Sequence, residues 1–136
     1  MSLPILRDDA LRSTDEGFSL RVSLPWIRSL PVWSAGGWEL SVDGDPVAVS
    51  AVGVGDRRVA PSALAFERGW WFVQDRLRLE GRRMLAPGAH AVTLGFRLIV
   101  PYLDAGADGP LSLPFASART LLLDAPATGT VSRDVA

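Results

Sequence analysis

Residues 85–103 read LAPGAHAVTLGFRLIVPYL, and their spacing decides the fold. Val92, Leu94, Phe96, Leu98 and Val100 recur at every second position. That period places them on one face of a strand and cannot be met by a helix. A Pro87-Gly88 turn opens the segment, and Pro101 ends its ladder because proline has no N–H to donate. The same period recurs upstream. In GFSLRVSL (17–24), Phe18, Leu20, Val22 and Leu24 alternate with polar residues. WELSVDGDPVAVSAVGV (38–54) reads as a hairpin, with Asp43-Gly44 supplying residues that tolerate positive φ and Pro46 at an edge or strand start.

GWWFV (69–73) and RLRLEG (76–81) are two short strands, the second with Leu77 and Leu79 inward and Arg76, Arg78 and Glu80 outward. ARTLLLDA (118–125) is the last strand, and GADGPLSLP (106–114) reads as a flexible loop. DDALRS is too short for a dependable helix, and segment 58–68 has room for one helical turn after Pro61. The expectation is an all-β protein, an antiparallel β-sandwich of about seven to eight strands. Residues 1–16 form an N-terminal extension or first edge segment, 17–125 the sandwich domain, and 126–136 a flexible tail.

Composition narrows the class. A chain of 136 residues, 48% hydrophobic and with net charge −1, suits one soluble domain with a proper core. All 14 positive side chains are arginines, scattered among 15 acids, so no nucleic-acid partner is expected. There are no cysteines, which removes disulfides and thiolate metal sites. No apolar run approaches the roughly 18 residues of a membrane span and no leader pattern opens the chain, so the expected location is cytoplasmic, with no membrane partner.

No catalytic constellation emerges. His90 lacks the companions that a general base or metal site needs, and its bland reading is structural. The acids fall in turns (Asp43, Asp45, Asp104, Asp108) or on outward strand positions (Glu39, Glu80), where solvation explains them. GVGDR (53–57) lacks the Lys-Ser/Thr and helix of a phosphate loop, and Ser112 and Ser117 carry no nucleophile signature. Trp70-Trp71-Phe72 must point to both faces of its strand. One tryptophan is therefore core, and the other either stacks a sugar or packs under a loop.

SLPWIRSLPVW (23–33) is different: Pro25 and Pro31 bar a regular central strand, yet the stretch is strongly apolar. Large exposed apolar patches mark interaction surfaces, and aromatics with arginine are favoured at interface centres. Pro25, Trp26, Arg28, Leu30, Pro31 and Trp33 are accordingly the candidate partner-interface or pocket-rim residues, with Tyr102 beside the end of the long strand.

The order of motifs resembles the small β subunit of bacterial C-glycoside deglycosidases, over roughly residues 17–123. The resemblance rests on Leu24-Pro25-x-x-Arg28-x-Leu30-Pro31, Val42-Asp43-Gly44, Leu85-Ala86-Pro87-Gly88-x-His90 and Val100-Pro101-Tyr102. Where the family carries paired tyrosines this chain has Trp26-Ile27, and Ser29 follows the arginine in place of glycine. Alanines 89 and 91 flank the histidine in place of acids. The resemblance implies a non-catalytic accessory subunit of a carbon–carbon lyase. Its larger partner would be a TIM-barrel α subunit carrying a divalent metal, Mn or Mg, with no cofactor in this chain. It also implies that the complex cleaves the C–C glycosidic bond of a 3-oxo-C-glycoside, with the glycoside at or near the interface. Two other classes compete. One is an independent carbohydrate-binding module using Trp70 or Trp71, and the other is a homo-oligomeric sandwich that buries the 23–33 segment.

Overall fold

The period-two segments become strands in the computed structural model, which describes residues 5–26, 28–73, 75–104 and 109–126, without the side chains of Tyr102 and Asp104. Along the chain these are β1 (Leu11–Thr14), β2 (Gly17–Ser23), β3 (Leu30–Pro31), β4 (Ala35–Val42), β5 (Asp45–Pro46), β6 (Val49–Val54), β7 (Arg57–Val59), β8 (Trp70–Trp71), β9 (Arg76–Gly81), β10 (Ala89–Asp104) and β11 (Pro110–Leu122). Short 3-10 segments occupy Val32–Ser34 and Pro61–Phe66. The second starts at Pro61, since proline is preset for a first helical position, and its six residues make two 3-10 turns where the sequence suggests one.

The strands form a five-stranded sheet, β1-β2-β9-β6-β7, a four-stranded sheet, β11-β10-β4-β5, and a two-stranded ribbon, β3-β8. All pairings are antiparallel. Three of the strands are only two residues long, which is why the sequence pattern shows fewer. In the five-stranded sheet one row of apolar side chains runs across every strand: Leu11, Leu20, Leu79, Val52 and Val59. Against it lies the inner face of β10, where Val92, Leu94, Phe96, Leu98 and Val100 are all buried, as the alternation requires. Complete burial of each such side chain contributes about 1.5–3 kcal/mol. Phe96 is the aromatic hub, with ring centroids 4.9 Å from Trp38, 5.9 Å from Phe115 and 6.3 Å from Trp71.

Several expectations need correction. The Asp43-Gly44 turn exists, with φ of 53° and 84°, but β5 pairs with β4 over only two residues. After the bond from Val47 N–H to Leu40 O the chain crosses to the other sheet as β6, so 38–54 is not one hairpin. Segment 110–114 is not loop but the start of β11, whose partner β10 holds it through Val100–Leu111 and Leu98–Leu113. Residues 105–108 lie outside the described set. β10 runs on to Asp104, although its ladder is interrupted after Val100, where Pro101 stands. Residues 11–14, within the stretch read as an extension or first edge segment, pair with β2 as a sheet edge.

Arg76, Arg78 and Glu80 do point away from the core, yet they are not solvated. Glu80 is buried, with Arg58 Nη2 at 2.7 Å and Arg78 Nε at 3.9 Å. Arg76 is ion-paired with Asp9 at 2.7 Å, both side chains nearly covered. The cause is the central place of β9, whose outer face is roofed by long side chains. Arg78 lies flat across Gly53, where a Cβ would meet its Nη2 at 2.4 Å.

Candidate functional site

The 23–33 segment leaves β2 and folds back on the body of the protein. Leu24 is buried, Pro25 and Trp26 are half-buried with Trp26 packed on the core, and Arg28 is exposed. Ile27 lies outside the described residues. Leu30 and Pro31 then form β3, pairing with Trp71 and Trp70. Three bonds fasten this ribbon: Val32 N–H to Gly69 O at 2.9 Å, Val73 N–H to Ser29 Oγ at 3.1 Å, and Ser34 Oγ–H to Pro31 O at 2.7 Å.

Leu30 and Pro31 are buried within this chain, which corrects their reading as partner-facing residues. Alternation across two-residue strands turns Leu30 toward the core beside Trp71. Trp71 is fully buried, with its indole N–H bonded to Asp75 O at 2.9 Å, so it has no face to offer a sugar. The Tyr102 side chain lies outside the described set.

What the ribbon does present is aromatic. Trp70 is 50% exposed, Phe72 on the same side of the segment is 55% exposed, and Trp33 in the neighbouring 3-10 turn is 36% exposed. The 3-10 segment Pro61–Phe66 packs against that turn and ends in Phe66, 85% exposed. A two-pronged pair between Arg57 and Glu67, 3.0 and 2.8 Å, pins the end of this segment to β7. The bond from Arg57 holds the Glu67 carboxyl below the usual range and raises the guanidinium in turn. Sequence reasoning missed Phe66 and Phe72, although period two from Trp70 already puts Phe72 on its face.

The histidine has a different part. His90 is buried, with Nδ1 2.6 Å from Asp43 Oδ2 and Nε2 2.6 Å from Ala86 O. Asp43 Oδ1 also accepts the Ala91 N–H at 2.9 Å. Both ring nitrogens thus face acceptors, an arrangement that the imidazolium alone satisfies. The carboxylate hydrogen bond, then the carbonyl, raise the His90 pKa, and the same histidine bond lowers that of Asp43. Val42-Asp43-Gly44 and Ala86-Pro87-Gly88-x-His90, far apart in sequence, are one clasp in space. A histidine with both nitrogens occupied in a covered position has no free site for proton transfer.

On the outer face of the four-stranded sheet lies an open groove of about 670 Å³, floored by Ser41, Thr93, Gly95 and Ala116 beside Glu39. It holds one carboxylate and two hydroxyls and no converging acid–base set. Among the described residues no three His, Asp or Glu side chains come together to hold a metal ion. No helix among them is long and apolar enough to cross a membrane.

No protein-family model matches the chain. Two characterised proteins do. The 3'-dehydrocarminate deglycosidase beta subunit of Microbacterium sp is 33% identical over 114 residues, spanning 80% of this chain and 85% of that one. The C-glycoside deglycosidase beta subunit of Microbacterium trichothecenolyticum is 28% identical over 106 residues, 73% of this chain and 79% of that one. Together with the all-β architecture, this similarity establishes that the chain belongs to the family of C-glycoside deglycosidase beta subunits.

Proposed function

We propose that this chain is the non-catalytic subunit of a heteromeric C–C lyase, docking through its aromatic ribbon onto a larger TIM-barrel α subunit. The complex would release the aglycone from a 3-oxo-C-glycoside. The observation that carries this reading is the exposed set Trp33, Phe66, Trp70 and Phe72 on the ribbon and the two 3-10 segments next to it. Exposed aromatics gathered on neighbouring short elements are costly in water and typical of interface centres. Pro25 and Trp26, both half-buried, are assigned to the rim of that face.

The acid–base chemistry is assigned to the partner, because the one histidine here is engaged in a structural clasp. Among the described residues no three His, Asp or Glu side chains gather to hold a metal ion, and the divalent metal is assigned to the partner, as the resemblance implies. The role of this chain is then to stabilise that subunit and to shape the mouth of its site.

The test is co-expression with the larger subunit followed by size-exclusion chromatography and a deglycosylation assay. Wild-type chain co-elutes and restores activity. Trp70→Ser combined with Phe72→Ser abolishes co-elution while leaving the melting temperature within about 3 °C, as expected for exposed positions. If the subunits elute apart and the larger one is fully active alone, the proposal fails.

A further inference from the structure

Among the described residues, the four-stranded sheet has one long edge strand, β11, that is blunted by proline only in its first half. β1, β5 and β7 are the other outer strands of the two main sheets, and each is blunted. β1 has four residues, β5 has two including Pro46, and β7 has three of which two are arginines. Short, charged or proline-bearing edges resist pairing with other chains. β11 has 13 residues and, among the described residues, is the terminal strand of its sheet.

Which of its amides are open follows from one bond. Leu123 N–H donates to Gly88 O at 2.9 Å, flanking the Ala89–Leu122 pair. That pair is therefore of the non-hydrogen-bonded kind, and every second residue back from Leu122 turns its N–H and C=O away from β10. These residues are Thr120, Ala118, Ala116, Pro114, Ser112 and Pro110. Both prolines of the strand thus stand where no ladder bond is lost, and they erase two of the three open N–H groups in its first half, leaving that of Ser112. The stretch 116–120 keeps its donors and acceptors. Its one charge, Arg119, is turned inward and bound to Asp8 and to Leu6 O.

We infer that this edge pairs with the same edge of a second copy, antiparallel and two-fold symmetric about Ala118. In that register Ala118 faces its own mate and Ala116 faces Thr120, in three pairs that each exchange both bonds and contain no proline. The same symmetry sets Leu122, 52% exposed, against the exposed Pro114 of the mate, because each lies four residues from Ala118. This apolar match at both ends distinguishes self-pairing from addition of an arbitrary strand. The result is one continuous sheet through two sandwiches.

Sedimentation velocity of the full chain over a concentration series tests it. Wild type is expected at twice the 14.6 kDa chain mass. Ala118→Pro, whose nitrogen would face the open side as those of Pro110 and Pro114 do, should sediment at half the wild-type mass with an unchanged circular-dichroism spectrum. Leu122→Asp should weaken the dimer at least tenfold, and it serves as the readout if the proline variant misfolds. A wild-type monomer at every concentration overturns the inference, as does a dimer insensitive to both substitutions. Loss of co-elution with the larger subunit by Ala118→Pro, with no self-association in wild type, would give the edge to a foreign strand instead.

Discussion

Truncating Trp71 to alanine, with Trp70→Ala as its neighbour control, tests the reading of the ribbon most sharply. Trp71 is fully buried against the Phe96 cluster and its indole N–H is bonded to Asp75 O, whereas Trp70 is half in water. Large-to-small truncation of a buried aromatic costs about 3–5 kcal/mol, including the cavity left behind. At about 2.1 cal/mol/K per residue, 136 residues give an unfolding entropy of about 0.29 kcal/mol/K. Trp71→Ala should therefore lower the melting temperature by about 10–17 °C. Trp70→Ala should cost under about 1 kcal/mol, a shift of no more than about 3 °C. Differential scanning calorimetry reads both, with urea midpoints as an independent check. Equal shifts, or a larger loss from Trp70→Ala, would refute the assignment of Trp71 to the core and of Trp70 to the docking face.

The clasp and the outer-face ion pair give two more tests. The folded His90 pKa lies above its unfolded value near 6.5, so its contribution is complete below that pH and is lost as pH rises through the folded value. Asp43 is shifted down, so its share is present above about pH 4 and is lost as pH falls through its folded value. The melting-temperature gap between wild type and His90→Gln should thus be widest at about pH 5–6 and narrow on the alkaline side, and a gap that widens with rising pH contradicts the clasp. Asp9→Asn leaves the covered Arg76 guanidinium without its counter-charge, an expected loss of about 3–5 kcal/mol in urea unfolding, whereas Asp9→Leu with Arg76→Met should recover most of it. A double variant no better than the single one would show that the pair itself stabilises the sheet.

Much of the sheet pattern was legible because period two survives wherever one face is buried. β2, β9 and the inner face of β10 follow it residue by residue. The chain's aromatic doublet also sorted as alternation demands, one tryptophan in and one out. What the pattern did not carry was the third dimension. Arg76 and Glu80 alternate like solvated residues, and only the folded sheet shows Asp9 and Arg58 closing over them. β11 was legible only from residue 118 onward, because Pro110 and Pro114 read as loop signals. Their placement on an open edge depends on ladder parity, which no single strand reveals. Leu30 and Pro31 misled for a related reason: an apolar connection between strands can be absorbed by a short ribbon as readily as left for a partner. The His90–Asp43 contact joins residues 47 apart, and neither residue signals the other in sequence.

The crossing at Val47–Ala48 bears on how the molecule is made as well as on its shape. Because β5 gives way to β6 in the opposite sheet, and β9 to β10 back again, each sheet is assembled from separated pieces of chain. Neither sheet is an autonomous folding unit, and no cut in the sequence would release one intact. Folding must close long loops before most contacts form, which places it among the slower, millisecond-to-second topologies. Unfolding should run as one cooperative transition, so the aromatic ribbon would be lost only together with the core that carries it.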